Sequence, residues 1–120
     1  MELIQMESNR VERYRDARLE VDFRTHAVLL DGAPVHLTPL EFALLAHLAR
    51  NAGEIVSREN LMLLVWGYGP DIHSRTMDVH LRRLRVRLGS YSRQLETVFG
   101  LGYRLQPCSL PLTMLHATSA

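Results

Sequence analysis

The sequence predicts an α+β fold: a small antiparallel sheet, then three helices, then a closing β-hairpin. Three observations carry this. Apolar residues alternate with period two from Leu19 onward, in Leu19, Val21 and Phe23 with Glu20 and Asp22 between them, the spacing of a half-buried sheet. Two helix-start signals follow, at Thr38 and Ser57. An arginine-rich amphipathic segment then precedes two β-prone runs separated by Gly100-Leu101-Gly102.

A chain of 120 residues with 47% hydrophobic content is expected to form one domain with a modest core. That domain is placed at residues 11–105. Residues 1–10 read as a polar linker or disordered start, and 106–120 as a tail to which no structure is assigned. No apolar run approaches the ~18 residues of a membrane span. The first ten residues lack the basic start and apolar stretch of a secretory signal. The single cysteine, Cys108, excludes an internal disulfide and argues against a cysteine-based metal site. The expectation is a cytoplasmic protein with no membrane partner.

The net charge of +1 is uninformative, but its distribution is not. Residues 1–74 hold 7 Arg against 11 Asp and Glu, and residues 75–104 hold 7 Arg against 2. The first segment therefore carries −4 and the second +5, with a neutral remainder. Positive charge concentrated in one quarter of the chain suits a polyanion. All 14 basic residues are arginine, which forks onto phosphate and guanine edges.

In chain order, the first strand is expected near residues 11–16. Leu19, Val21 and Phe23 make the second. Val28 and Leu30, then Val35 and Leu37, flank Asp31-Gly32, a strong hairpin turn signal. Thr38-Pro39-Leu40-Glu41 is a capping box with proline at the first helical position. It explains Glu41 as a cap, with Leu37 and Phe42 as the staple. Leu40, Leu44, Leu45 and Leu48 form the buried face, and Asn51-Ala52-Gly53 ends the helix. Ser57 caps a second helix, with Val56 and Leu61 as its staple. Its apolar positions are Leu61, Leu64 and Val65, and it ends at Trp66-Gly67. The loop from Gly67 to His73 holds two glycines and Pro70, so the helix cannot continue.

Residues 75–88 form the third helix. At 100° per residue, Met77, Leu81, Leu84 and Leu88 fall within about 40° of one line and make a buried seam. Thr76, Val79, His80, Arg83 and Arg87 lie on the opposite side, and Arg75, Arg82 and Arg85 along one flank. Two helices joined by a turn, the second amphipathic and basic, make a helix-turn-helix. Its turn is longer than the usual three or four residues. Such a helix is as readily a merely solvated one. Gly89 to Arg93 reads as a loop. Leu95 to Phe99 and Tyr103 to Leu105 form the hairpin, in the position of a wing.

Five segments now bear a resemblance. They are Leu37 to Leu45, Val56 to Leu61, Val65-Trp66-Gly67, Arg75 to Arg85, and Gly100-Leu101-Gly102-Tyr103-Arg104. In this order the chain, from about Leu19 to Leu105, resembles the DNA-binding domain of OmpR/PhoB-class bacterial response regulators. The resemblance implies a winged helix-turn-helix that binds double-stranded DNA sequence-specifically as a transcriptional regulator of a two-component system. It implies that the third helix enters the major groove and the hairpin meets the neighbouring minor groove. It implies head-to-tail binding to tandem direct repeats ~10 bp apart. The loop carrying Tyr68, Asp71 and Ile72 corresponds to the segment that meets RNA polymerase in activators of this class.

Two departures stand out. Regulators of this class carry an N-terminal receiver domain with a phosphorylated aspartate and a lysine. Here there is no such segment and no lysine, so the chain reads as an excised effector domain or as a regulator without phosphorylation control. The residue after Val98 is commonly basic or polar; here it is Phe99. Its ring is expected against the domain's own core, with a DNA sugar or a base step as the alternatives.

On that footing the DNA-binding residues are Trp66, Arg75, Thr76, Val79, His80, Arg82, Arg83, Arg85, Thr97 and Tyr103. Arg83, central on the exposed face, is the best base reader through guanine O6 and N7. Thr76, Val79 and His80 share its face and reach thymine methyls or base edges. Arg75, Arg82 and Arg85 bind phosphates, with Asp78 orienting Arg82 as an i,i+4 pair. Trp66 is mainly core with an indole N–H free for a phosphate. Thr97 and Tyr103 offer polar tips near the wing.

Catalysis is not expected. Asp78 and His80 point about 160° apart on a helix, and no phosphate loop or helical His-Glu-x-x-His occurs. His26, His36, His47 and His116 have no ligand spacing, so no metal or cofactor is expected. The alternative function is a winged-helix docking module for RNA polymerase or another regulator. Five arginines on one helix favour the DNA reading.

Overall fold

The computed structural model describes residues 12–67 and 74–111, with the backbone alone at Ser74 and Arg75. The described residues form a four-stranded antiparallel sheet, three α-helices and a two-stranded C-terminal hairpin, a winged-helix fold. These elements form two compact units, one from the N-terminal sheet with the segment after Gln106, the other from His36–Gln106. Among the described residues no helix is long and apolar enough to cross a membrane.

The sheet comprises β1 (Arg13–Arg15), β2 (Leu19–Asp22), β3 (Val28–Leu30) and β4 (Ala33–Pro34), in that spatial order. The period-two alternation is realised: Leu19 and Val21 are fully buried while Glu20 and Asp22 are partly exposed. Val21 pairs with Val28 and Leu19 with Leu30, so the register keeps the apolar residues on one face. Asp31 and Gly32 both have positive φ, 53° and 84°, as the predicted two-residue hairpin requires. Asp16 ends β1 through its carboxylate, which accepts from the N–H groups of Arg18 and Leu19 and from the Tyr14 hydroxyl. The described start of the tail, unassigned from sequence, has a place here. Cys108 is buried, its carbonyl accepts from Ala17 N–H, and its own N–H reaches Asp16.

Arg18, with its side chain 5% exposed, forks onto Asp31: Nε to Oδ1 at 2.9 Å and Nη2 to Oδ2 at 2.8 Å. The hydrogen bond from Arg18 holds the Asp31 carboxyl below its usual value of 3.8. A depressed carboxylate stabilises the fold fully above the unfolded-state pKa, and the contribution is lost as pH falls through the folded value. Asp31→Asn is therefore expected to cost about 1–3 kcal/mol at neutral pH, because a buried guanidinium loses its charged acceptor. The gap from wild type should begin to shrink as pH falls below about 4 and should close only once the lowered folded-state pKa of Asp31 is passed. Urea unfolding of both proteins at pH 7 and pH 3 checks this. A gap of constant size would show that the pair does not act through charge.

In the second unit, α1 (Pro39–Arg50) begins with the full capping box. Thr38 Oγ1 accepts from Glu41 N–H, and Glu41 Oε1 accepts from Thr38 N–H. Leu44, Leu45 and Leu48 are buried, and Leu40 is half-buried. Glu41 is more than the cap it was expected to be. It is fully buried, and Oε1 also accepts from Arg87 Nε at 3.0 Å. The helix α2 (Arg58–Trp66) is capped by Ser57 Oγ and ends at Gly67, φ 83°. Its buried side differs from expectation: Leu61 and Met62 are buried, whereas Leu64 is 50% exposed. The buried arc is centred between Leu61 and Met62, and Leu64 lies on the far side of Leu61 from that centre.

The third helix, α3 (Ser74–Leu88), buries Met77, Leu81, Leu84 and Leu88 to 2% exposure or less. The expected loop after it is a 3₁₀ helix, Gly89–Gln94, whose Tyr91 is fully buried. One lone aromatic among serines has no period to announce it. β5 (Leu95–Val98) and β6 (Gly102–Leu105) form the hairpin, and Tyr103 bridges to Val56 on the other edge of β6.

Candidate nucleic-acid interface

The seam of α3 is held against the core, so the residues opposite it are presented outward. Thr76, Arg82 and Arg83 are exposed, and Val79 is 40% exposed. Val86, which the sequence reading passed over, is 75% exposed on the same outward side. Arg82 and Arg83 have no hydrogen-bonding or ionic partner among the described residues. The side chain of Arg75 lies outside the described residues, as do Tyr68, Asp71 and Ile72.

The remaining basic residues of α3 are spent differently. Arg85 donates from Nη2 to the Leu95 carbonyl at 3.0 Å and to Thr97 Oγ1 at 2.9 Å. Both acceptors are neutral, so Arg85 ties the wing to α3 and keeps its charge. Arg87 is exposed as expected, but its guanidinium reaches back to Glu41 and is paired there. Arg104 is likewise paired, with Glu96 directly across the hairpin.

Asp78 does not orient Arg82. Its Oδ1 accepts from Arg58 Nη2 at 2.8 Å, which joins the start of α2 to α3. That bond to Asp78 also holds Arg58 above its usual pKa. Arg58 Nη1 donates to the Tyr103 hydroxyl, and its guanidinium carbon lies 5.9 Å from the Tyr103 ring centroid. Tyr103, 6% exposed, is therefore anchored inside the domain. Sequence reasoning assigned Arg58 no role. The signal was present only as an arginine in the first turn of a helix, a position that favours acidic residues.

Trp66, mainly core by its sequence context, is half-buried. Its ring centroid is 5.9 Å from that of His80, tilted by 52°. His80 is half-buried too, and its Nδ1 is buried without a hydrogen-bond partner among the described residues. Of the predicted residues, Arg82, Arg85, Thr97 and Tyr103 meet around one open cleft of about 770 Å³ between the helices and the wing. Trp66 and His80 sit together apart from it. Phe99 is not in the core: it is 91% exposed at the wing tip, with Leu101 60% exposed beside it. Core packing fails because a hairpin tip projects beyond the residues its strands bury. Among the described residues no cluster of His, Cys, Asp and Glu is arranged to hold a metal ion.

This geometry is that of a helix with one side locked in the core, an exposed face opposite it and an arginine-lined cleft at its side. The family model described as "Transcriptional regulatory protein, C terminal" matches residues 32–105. The chain belongs to this family, the OmpR/PhoB-type effector domains of response regulators. Domains of this family are the non-enzymatic C-terminal parts of transcriptional regulatory proteins.

Among curated relatives, the uncharacterized transcriptional regulatory protein YclJ of Bacillus subtilis is 46% identical over 86 residues. That match covers 70% of this chain and 38% of the relative. Transcriptional regulatory protein SrrA of Staphylococcus aureus is 39% identical over 92 residues, covering 73% and 38%. The chain thus spans about 38% of the length of these relatives. The Klebsiella pneumoniae RstA DNA-binding domain, solved in complex with the RstA box, superposes with a TM-score of 0.73 at 30% identity, covering 81% of this chain and 99% of that one. Response regulator DrrB of Thermotoga maritima, an OmpR/PhoB homologue, gives 0.70 at 30% identity, covering 79% and 44%.

Proposed function

We propose that this chain binds double-stranded DNA sequence-specifically, with α3 in the major groove, as the effector part of a two-component transcriptional regulator. One observation carries the reading: Arg82 and Arg83 stand exposed and unpartnered, among the described residues, on a helix whose other side is locked in the core. A solvated helix gains nothing from adjacent unpaired arginines, whereas a duplex supplies both a phosphate wall and guanine edges. Thr76 and Val79 read base edges or thymine methyls beside Arg83. Arg75 and Arg85 add phosphate contacts. Trp66 and His80 form the end of the reading surface, and Thr97 and Tyr103 act through the cleft. Two protomers bind head to tail on direct repeats. The working location is the cytoplasm, alongside DNA and a receiver domain.

Selection of bound sites from random duplex DNA tests this. The expected product is a short motif repeated in the same orientation ~10 bp apart. Recovery of unrelated sequences with no repeat would overturn the reading.

A second reading, contact with RNA polymerase, has its own support. Leu63 and Leu64 are 52% and 50% exposed on α2, a few residues before Tyr68, Asp71 and Ile72 in the sequence. A protein partner covers such residues, and DNA does not.

A further inference from the structure

We propose that the wing tip is an apolar wedge: Phe99, backed by Leu101, inserts at a base step of the minor groove beside the major-groove segment occupied by α3. The inference rests on the DNA-binding reading of α3 and deepens it.

Folding does not ask for an aromatic residue at this position. The turn is closed by Leu101 N–H on the Val98 carbonyl at 2.9 Å, and its positive φ of 79° falls on Gly100. The position of Phe99 accepts most residues, and tight turns favour polar ones. Yet Phe99 is 91% exposed and Leu101 60%. Two large apolar side chains held in water at a tip contribute nothing to the stability of the free domain and gain only when a partner covers them.

The tip is also fixed relative to α3. Arg85 joins α3 to β5 through Leu95 and Thr97, and β6 is bridged to Val56 by two backbone hydrogen bonds, at 2.8 and 2.9 Å. Between α3 and the tip runs the cleft of about 770 Å³. Its helical wall carries Arg82 and Arg85 together with the Arg58–Asp78 pair and Glu59, and its other wall carries Thr97 and Phe99. Unpaired guanidinium charge on one wall and a hydroxyl on the other suit a sugar–phosphate strand. In a duplex, one such strand divides the major groove from the minor. With α3 in the major groove and that strand in the cleft, the tip across the strand lies in the minor groove.

The chemistry of the tip then selects how it binds. It carries no charge, so the negative potential of a narrow A-tract groove offers it nothing. An apolar side chain in the minor groove acts as a wedge between base steps, at least cost where pyrimidine–purine steps unstack easily.

The test uses the full chain and duplexes recovered by site selection, with 2-aminopurine placed in turn at adenines flanking the α3 footprint. Wild type should brighten one flanking step several-fold as it unstacks, and should prefer TA or CA/TG there over an A-tract. Phe99→Ala should abolish the signal and weaken half-site binding roughly three- to tenfold, with an unchanged melting temperature because the ring is exposed. Phe99→Arg should reverse the flank preference towards A-tracts and steepen the salt slope by about 0.9. If wild type and Phe99→Ala bind one duplex equally tightly and both stay dark, the wedge is wrong and the α3 reading stands. If wild type binds no selected duplex, the α3 reading fails and the wedge falls with it.

Discussion

Replacing Gly102 with alanine is expected to destabilise the helical unit by about 3 kcal/mol, a clash between backbone elements adding to backbone strain. Gly102 has φ 147°, and a Cβ built on it would lie 2.1 Å from the Val56 carbonyl oxygen and 2.8 Å from Ser57 Cα. These are backbone atoms at the entry to α2 and cannot rotate away. Strand β6 would have to leave Val56, losing both hydrogen bonds of the Val56–Tyr103 bridge. The Tyr103 hydroxyl would then move from Arg58, and Arg58 in turn holds Asp78 on α3. Gly100→Ala is the control, because that residue has φ 79° but nothing within 4 Å of its added Cβ. It should cost only about 1–2 kcal/mol, from backbone strain. Urea midpoints of the two variants give the comparison. Equal midpoints would mean that β6 does not depend on its close approach to Val56.

Alanine at Arg83 and at Arg82 should have different consequences for DNA, although the two residues are adjacent. Both are exposed and unpartnered among the described residues, so neither substitution disturbs the fold. On the proposed reading Arg83, on the side of the outward face away from the cleft, is the residue whose forked donor would meet guanine O6 and N7. Its loss should cost about 1–3 kcal/mol on the best site and flatten preference at one or two base pairs. Arg82 lies on the flank facing the cleft. Its loss should weaken all duplexes alike and make the slope of log K against log salt shallower by about 0.9. Binding to a panel of single-substituted sites at several salt concentrations separates these patterns. The same pattern from both variants would remove the division between base reading and phosphate contact. Arg85 is a poorer probe, since its bonds to Leu95 and Thr97 also hold the wing.

The sequence by itself determined what short-range physics controls. Thr38 and Glu41 are three residues apart and cap each other through the geometry of one helical turn. Asp31-Gly32 makes its hairpin because both residues tolerate positive φ. Met77, Leu81, Leu84 and Leu88 are buried because a helix places them on one line, and the outward position of Arg83 follows from the same arithmetic. Only the tertiary structure decided which side chains find one another across elements. Arg87 reaches Glu41 from 46 residues away, and Arg58 joins Asp78 from 20 and Tyr103 from 45. A helical wheel offers Asp78 a partner in Arg82 one turn along, but packing brings α2 alongside and Arg58 takes the carboxylate. The burial of Met62 in place of Leu64, and of Tyr91 in a serine-rich segment, has the same origin. Periodicity says which arc of an element is apolar; neighbouring elements choose where along that arc the contact is centred. Phe99 is the reverse case. Its hydrophobicity pointed to the core, and its place at the tip of a hairpin pinned on both edges left it in water.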